Sequence, residues 1–204
     1  MFCNLVSKGT GKQKVSEIAE LNPSRTLKKN ENAKCIDMAK LSTTSSFPIC
    51  WETKPFNGGM KFSNGDTIMA RITPCLENGK TAFINFLETN EVAFGSTEYI
   101  VLSPKEIVPS ELLYCLVKYE PFVQFAVKHM NGSSGRQRVT ADSIGNFEIP
   151  IFSQKEMADF SFVVHPYFEQ IRINSLENMS LISLRDQLLP KLMSGEIDVS
   201  STDI

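Results

Sequence analysis

Residues 132–138, Gly-Ser-Ser-Gly-Arg-Gln-Arg, pack two glycines, two hydroxyls, two arginines and a glutamine into seven positions. Glycines let a backbone approach closely, and Ser133 and Ser134 can donate to phosphate oxygens. Arg136, Gln137 and Arg138 have side chains that pair bidentately with guanine and adenine edges. The same composition equally suits a solvated loop that closes a helix, and the residues alone do not choose. Lys54, Lys61, Arg71 and Lys80 flank two turn-rich segments, 54–66 and 73–80. Singly each reads as a surface charge, whereas together near tight turns they can line a groove.

Enzyme chemistry finds little support. A metal nuclease needs clustered carboxylates and a lysine, and Asp66, Glu77 and Lys80 are the nearest approximation. The plainer reading is that Asp66 closes an Asn-Gly-Asp turn and Glu77 sits in a solvated loop. His129 and His165 stand alone, without the partners of a nucleophilic triad. Gly9-Thr10-Gly11-Lys12 is followed by Gln13, so it fails as a phosphate loop. No Gly-rich cofactor loop or acidic-dipeptide-proline motif of a methyltransferase is present. The five cysteines are scattered, odd in number and without a CxxC pair, so no metal centre is expected. Free thiols of this kind fit a reducing cytoplasm. No apolar run reaches the roughly 20 residues of a membrane span, and no signal-peptide pattern opens the chain. The expectation is a cytoplasmic protein without catalysis or membrane contact.

The elements that must position these residues follow from length and periodicity. The 204 residues carry 42% hydrophobic and 22% charged side chains, which are globular values with room for one domain and an appendage. Residues 1–150 hold 17 Lys and Arg against 15 Asp and Glu, a net of +2; residues 151–204 carry a net of −4. The first fourteen residues read as a fraying end. Val15, Ile18, Ala19 and Leu21 space as a short helix closed by Asn22-Pro23. Short strands are expected at 34–38, 67–72, 81–86, 97–102 and 147–152. Asn57-Gly58-Gly59 and Asn64-Gly65-Asp66 read as tight reversals. Residues 109–130 have the spacing of a helix pair broken at Pro121. The fold class is therefore α+β: a small domain over 1–150 with a bent, mostly antiparallel sheet and helices, followed over 151–204 by a long C-terminal helix forming a coiled coil or helical spacer.

That terminal segment starts at a Ser153 cap, with an interruption at His165-Pro166 and a stop at Pro190. One stripe on it runs Ile171, Asn174, Asn178, Leu181, Arg185 and Leu188; a neighbouring one runs Phe168, Ile171, Ile182 and Leu189. Asparagines on such a seam fix register and partner. An amphipathic helix folded back on its own domain accounts for the same spacing equally well.

Four segments in order carry a resemblance: NGDTIMARITPCLENGKTAFI at 64–84, FGSTEYIVLSP at 94–104, GSSGRQRVTAD followed by FEIPI at 132–151, and the terminal LRDQLLPKLMSGEIDVS. From about Val15 to Val199 the chain resembles the specificity subunit of type I restriction–modification systems. The resemblance implies a target recognition domain joined to a conserved-region helix. Whole subunits of this kind usually carry that pair twice, so this chain looks like half of one. It places recognition loops on 42–62, 73–80 and 131–138, and a dimerising and methylation-subunit-binding spacer on the helix from Pro166 to Leu189. As partners it implies double-stranded DNA, a methylation subunit, a restriction subunit and a second copy. S-adenosylmethionine, ATP and magnesium would belong to the partner subunits, with no cofactor here. The alternative is an interaction scaffold that docks a protein through its C-terminal helix and never touches DNA.

Overall fold

The computed structural model describes residues 1–132 and 136–197. Its elements are α1 (Phe2–Lys8), β1 (Thr10–Lys14), α2 (Val15–Ile18), β2 (Ala19–Leu21), β3 (Asn32–Ile36), β4 (Glu52–Pro55), β5 (Met60–Phe62), β6 (Thr67–Ala70), β7 (Thr81–Phe83), β8 (Ala93–Gly95), β9 (Tyr99–Pro104), α3 (Ser110–Val117), α4 (Glu120–Lys128), α5 (Ala141–Gly145), β10 (Glu148–Ile151) and α6 (Gln154–Met193). One sheet has the order β2-β9-β6-β7 and is antiparallel throughout. A second has the order β4-β3-β8-β5 and contains one parallel pair, β3 with β8. A two-stranded ribbon joins β1 to β10. The α+β class and the mostly antiparallel character match the expectation, with the strands divided between two sheets rather than bent into one.

Alternation along β6 and β9 explains the layering. Met69, Ile100 and Leu102 point into one core with Leu112, Leu116 and Phe122 of α3 and α4. Their neighbours Ile68, Tyr99 and Val101 point the other way, onto Ile36, Phe62 and Ile84 beside the second sheet. Because side chains alternate faces along a strand, an all-apolar run such as Tyr-Ile-Val-Leu is what a sheet covered on both sides requires. The first sheet is thus the middle layer, between helices and the second sheet. The Tyr99 hydroxyl, buried there, donates to the Ile36 carbonyl at 3.1 Å.

Several expectations are corrected. The N-terminus does not fray: Phe2 is buried edge-on to Tyr119 and Phe160, and β1 is held by β10. Burying one phenylalanine contributes about 1.5–3 kcal/mol, enough to order a two-turn helix. Asn57-Gly58-Gly59 is not a hairpin turn, since β4 and β5 lie at opposite edges of their sheet. Gly59 instead permits a close approach, because a Cβ there would collide with the Gly95 carbonyl. Asn64-Gly65-Asp66 reverses the chain, but between sheets rather than within one. The segment 42–62 is not loop throughout, as it contains β4 and β5.

The largest correction concerns α6, which runs unbroken through Pro166 and Pro190 for 40 residues, about 60 Å. Its start is as expected: the Ser153 hydroxyl accepts from the Glu156 amide and the Glu156 carboxylate accepts from Ser153, a capping box. An interior proline costs about 3 kcal/mol. Met157, Phe160 and Phe168, however, are all buried in the domain, and burial contributes about 1.5–3 kcal/mol for each. Phe160 and Phe168 sit just over two turns apart and reach neighbouring parts of the same domain with the helix continuous between them. The packing outweighs the proline. The first four turns of α6 are therefore built into the core of the front domain.

Candidate nucleic-acid interface

Three segments separated in sequence are tied side by side by hydrogen bonds. The first, 42–48, is rich in Ser and Thr yet well organised. The Ser42 hydroxyl accepts from the Thr44 and Ser45 amides, and Ser45 accepts from the Phe47 amide. Short hydroxyl side chains closing local turns in this way substitute for a regular ladder. Phe47 is buried and anchors the segment on Phe86 and Trp51, whose rings stack at 4.2 Å. The second, 73–80, winds through consecutive turns, Leu76 to Ile72, Asn78 to Pro74 and Gly79 to Leu76, and is pinned by the buried Leu76.

Links between them are explicit. Phe83 donates its amide to the Ser46 carbonyl at 2.8 Å, and Lys80 Nζ donates to the Met38 carbonyl at 2.9 Å. Lys118 Nζ reaches the carbonyls of Thr43 and Gly79 at 3.1 and 3.0 Å. On the other side, the Thr73 amide donates to the Gln137 carbonyl at 3.1 Å and the Val139 amide to the Arg71 carbonyl at 2.9 Å. Asn131 and Arg138 exchange backbone hydrogen bonds across the base of the third segment, both at 2.9 Å. Residues 42–48, 73–80, 131–132 and 136–138 are thereby tied, through Lys118 and the residues next to them, into one connected surface.

The cations on this surface divide by what they already hold. Arg138 grips Glu98: its Nε lies 3.0 and 2.8 Å from the two carboxylate oxygens and its Nη2 lies 2.7 Å from Oε1. The guanidinium holds the Glu98 carboxyl below the usual carboxylate range, and half-buried Arg71 adds to that field. Paired forks of this kind fix geometry as well as charge. In this structure Arg138 is engaged as an anchor of the loop. Arg136 and Gln137 are exposed, and among the described residues nothing bonds to their side chains. Ser133 and Ser134 lie outside the described residues.

Lysines expected to line the groove are also engaged. Lys54 pairs with Asp37 at 2.9 Å, holding that carboxyl low and being raised by it in turn. Lys61 donates to the Arg25 carbonyl at 2.9 Å and sits 5.0 Å above the Phe56 ring. Lys54 and Lys61 stand on β4 and β5, the two edges of the second sheet, three strand spacings or about 14 Å apart. Lys80 is tied to Met38 as above. Sequence shows a charge but not the carbonyl or carboxylate that folding brings to it.

Asp66 is fully buried, with Arg25 Nη2 at 2.7 Å from each oxygen and the Ser63 amide at 2.8 Å from Oδ2. Burial pushes its carboxyl up, while the Ser63 amide and the Arg25 charge oppose that. It braces the turn between the two sheets, and Glu77 is exposed elsewhere on the loop. Among the described residues no group of three His, Cys, Asp or Glu side chains is placed to hold a metal.

Along α6 the expected partner stripe splits. Phe168 is buried against Phe83 and Tyr114, with ring centroids 5.1 and 5.5 Å apart, so it packs on its own domain and is withdrawn from any external seam. Ile171 is half-buried, and Asn174 accepts from Gln170 at 2.7 Å. Asn178 lines a groove with Ser42, Phe47 and Ile49, so α6 also runs beside the first loop. Leu181 and Leu188 are exposed, as are Ile182, Leu184, Leu189, Leu192 and Met193. That distal segment is apolar on several sides; Ile182 and Leu184 line grooves with Phe47 and Trp51, and the large apolar side chains beyond them stay exposed among the described residues. No helix among the described residues is long and apolar enough to cross a membrane.

A family model described as the type I restriction modification DNA specificity domain matches residues 8–178. The Escherichia coli type I restriction enzyme EcoAI specificity subunit is 32% identical over 180 residues, covering 85% of this chain and 28% of that protein. The EcoEI specificity subunit, from the same species, is 29% identical over 201 residues, covering 93% of this chain and 33% of that protein. Among solved structures, the HsdS subunit from Thermoanaerobacter tengcongensis superimposes with a TM-score of 0.62 at 17% identity, over 97% of this chain and 52% of that one. The chain thus spans about a third of the curated relatives it matches and about half of the solved subunit.

Proposed function

This chain belongs to the type I restriction–modification DNA specificity family, and from that premise we propose that it recognises a DNA sequence for a restriction–modification complex without catalysing a reaction itself. The observation that carries the reading is the hydrogen-bonded continuity of 42–48, 73–80 and 131–138, with Arg136 and Gln137 presented at its edge. Base readout needs side chains held in fixed register, and phosphate contacts alone carry no sequence information. A surface pinned by Leu76, Phe47 and the Arg138–Glu98 fork meets that need.

The distal half of α6 serves as the second working part. Its exposed leucines favour burial against a second copy of the same helix and against a methylation subunit. A two-fold pair would present two equivalent readers, so the target is bipartite and palindromic, with an unspecified spacer whose length the helices set. The methylation subunit would supply S-adenosylmethionine chemistry, and a restriction subunit the ATP- and magnesium-dependent steps.

Methylome sequencing of a methylation-free host tests this. New methylation at one bipartite motif, only when the chain and a cognate methylation subunit are expressed together, is the expected result. Co-purification of the two proteins without any motif would mean that the chain is a scaffold.

A further inference from the structure

Lys118 was not singled out by its sequence context, yet it occupies a distinctive place. It forms the C-cap of α3, a helix whose Leu112, Leu113, Leu116 and Val117 are buried in the core. Its ammonium lies between two carbonyls, Thr43 at 3.1 Å and Gly79 at 3.0 Å, which belong to different segments of the candidate surface. Lys54 and Lys12, by contrast, each face a carboxylate. The residue as a whole is exposed, but burial around the group holds the ammonium below the usual lysine range. Gly79 has φ +68°, and a Cβ there would lie 2.9 Å from Lys118 Nζ, so glycine leaves room for the contact.

Other ties in this region involve residues just outside one segment or the other. Phe83 to Ser46 and Lys80 to Met38 join residues at the ends of strands and turns. Lys118 alone among these reaches Thr43, on the exposed crest of the first loop, and does so from a rigid helix. Tyr114, one turn earlier on α3, packs on Phe168 of α6, so the same short helix references both loops to the long one.

We propose that Lys118 is a positioning residue for sequence recognition: it holds the crests of 42–48 and 73–80 in one fixed relation, and that relation determines which bases the surface accepts. The proposal rests on the reading of these loops as the DNA-recognition surface. An ammonium can donate three hydrogen bonds, and bonds from a charged donor to a carbonyl are among the stronger ones available to a loop. Methionine at 118 keeps the stem and removes the donor; arginine keeps a cation that can bridge two carbonyls.

The test uses the full chain, alone and with its methylation subunit. Hydrogen exchange of free Lys118→Met is expected to quicken about tenfold at the Thr44, Ser45, Asn78 and Gly79 amides, all of them hydrogen-bonded here, while core amides of β6 and β9 stay protected. Lys118→Arg should restore most of that protection. In selection from a randomised duplex, the complex carrying Lys118→Met should lose discrimination at two or more base positions, with the salt dependence of binding unchanged. Unchanged exchange, or quickened exchange with an unaltered motif, overturns the role of Lys118 while leaving the general reading intact. A wild-type complex that selects no motif overturns the reading of the loops and the specificity claim with it.

Discussion

Arg136 and Arg138 are two residues apart and chemically identical, yet the structure predicts opposite phenotypes for their loss. Arg136 is exposed, with no bond to its side chain among the described residues. On the proposed reading, replacing it with alanine removes a base-edge contact worth about 1–3 kcal/mol, so affinity for the target falls about 5- to 150-fold, concentrated at one base position. The melting temperature should stay within about 2 °C, because an exposed side chain without partners contributes little to folding. Arg138 holds Glu98 by three short contacts and forms backbone bridges to Ile72 and Asn131. Alanine there removes the Glu98 fork and leaves the backbone bridges, so on the proposed reading affinity falls at every base position together and the protein melts earlier. Glu98→Gln discriminates further. It makes the surface more positive, which by charge alone would tighten DNA binding, whereas loss of the anchor lowers specific affinity. Binding to a panel of single-base variants at fixed salt, with melting curves for each protein, separates these outcomes. If Arg138→Ala relaxes one base position without lowering the melting temperature, and Glu98→Gln binds more tightly, the anchor assignment is wrong.

Other perturbations follow from the same geometry. Arg25→Met leaves Asp66 buried and uncompensated and should cost about 3–5 kcal/mol in chemical denaturation, more than Asp66→Asn, since burial already disfavours the charged carboxyl. Because Arg138 depresses the Glu98 carboxyl, its stabilising contribution is present above the ordinary glutamate value near 4.5 and disappears as pH falls through the lowered one; loop amides near 138 should exchange faster in that acidic window, and not above pH 5. Gly95→Ala should destabilise by about 1–3 kcal/mol, because a Cβ there meets the Ile36 carbonyl and lies 2.6 Å from the Tyr99 ring. On the proposed pairing of two copies through α6, Leu184→Asn with Leu188→Asn should lower the solution mass from dimer to monomer without changing the melting of the front domain, which light scattering and calorimetry would show together.

Much of the architecture was legible where local chemistry decides it. The Ser153 cap followed by Glu156, Pro121 in the first turn of α4 just past the break at 118–119, and the apolar runs of β6 and β9 are all signals within a few residues of their effect. What escaped depends on distant partners. β8 is three residues long and parallel to β3, a pairing with no local signature. Pro166 breaks an isolated helix, but not one clamped on either side by Phe160 and Phe168. Phe2 gives order to the N-terminus only because Tyr119 and Phe160 are folded against it.

The same division applies to the candidate surface. Its three segments could be named from their residue types and their resemblance to a known family. Which cations remain available could not, because Glu98 lies 40 residues from Arg138 and the Met38 carbonyl lies 42 residues from Lys80. Lys118 escaped for a related reason, being a single lysine at a helix end whose two acceptors lie 75 and 39 residues away.

The most direct measurement is the methylation motif written in a methylation-free host by this chain and its methylation subunit, before and after residues 42–48, 73–80 and 131–138 are replaced together by those of a relative with a different target. Movement of the motif to the donor's target, at unchanged methylation levels, is the predicted result. A motif that stays in place while the exchanged chain remains folded and active would contradict the account.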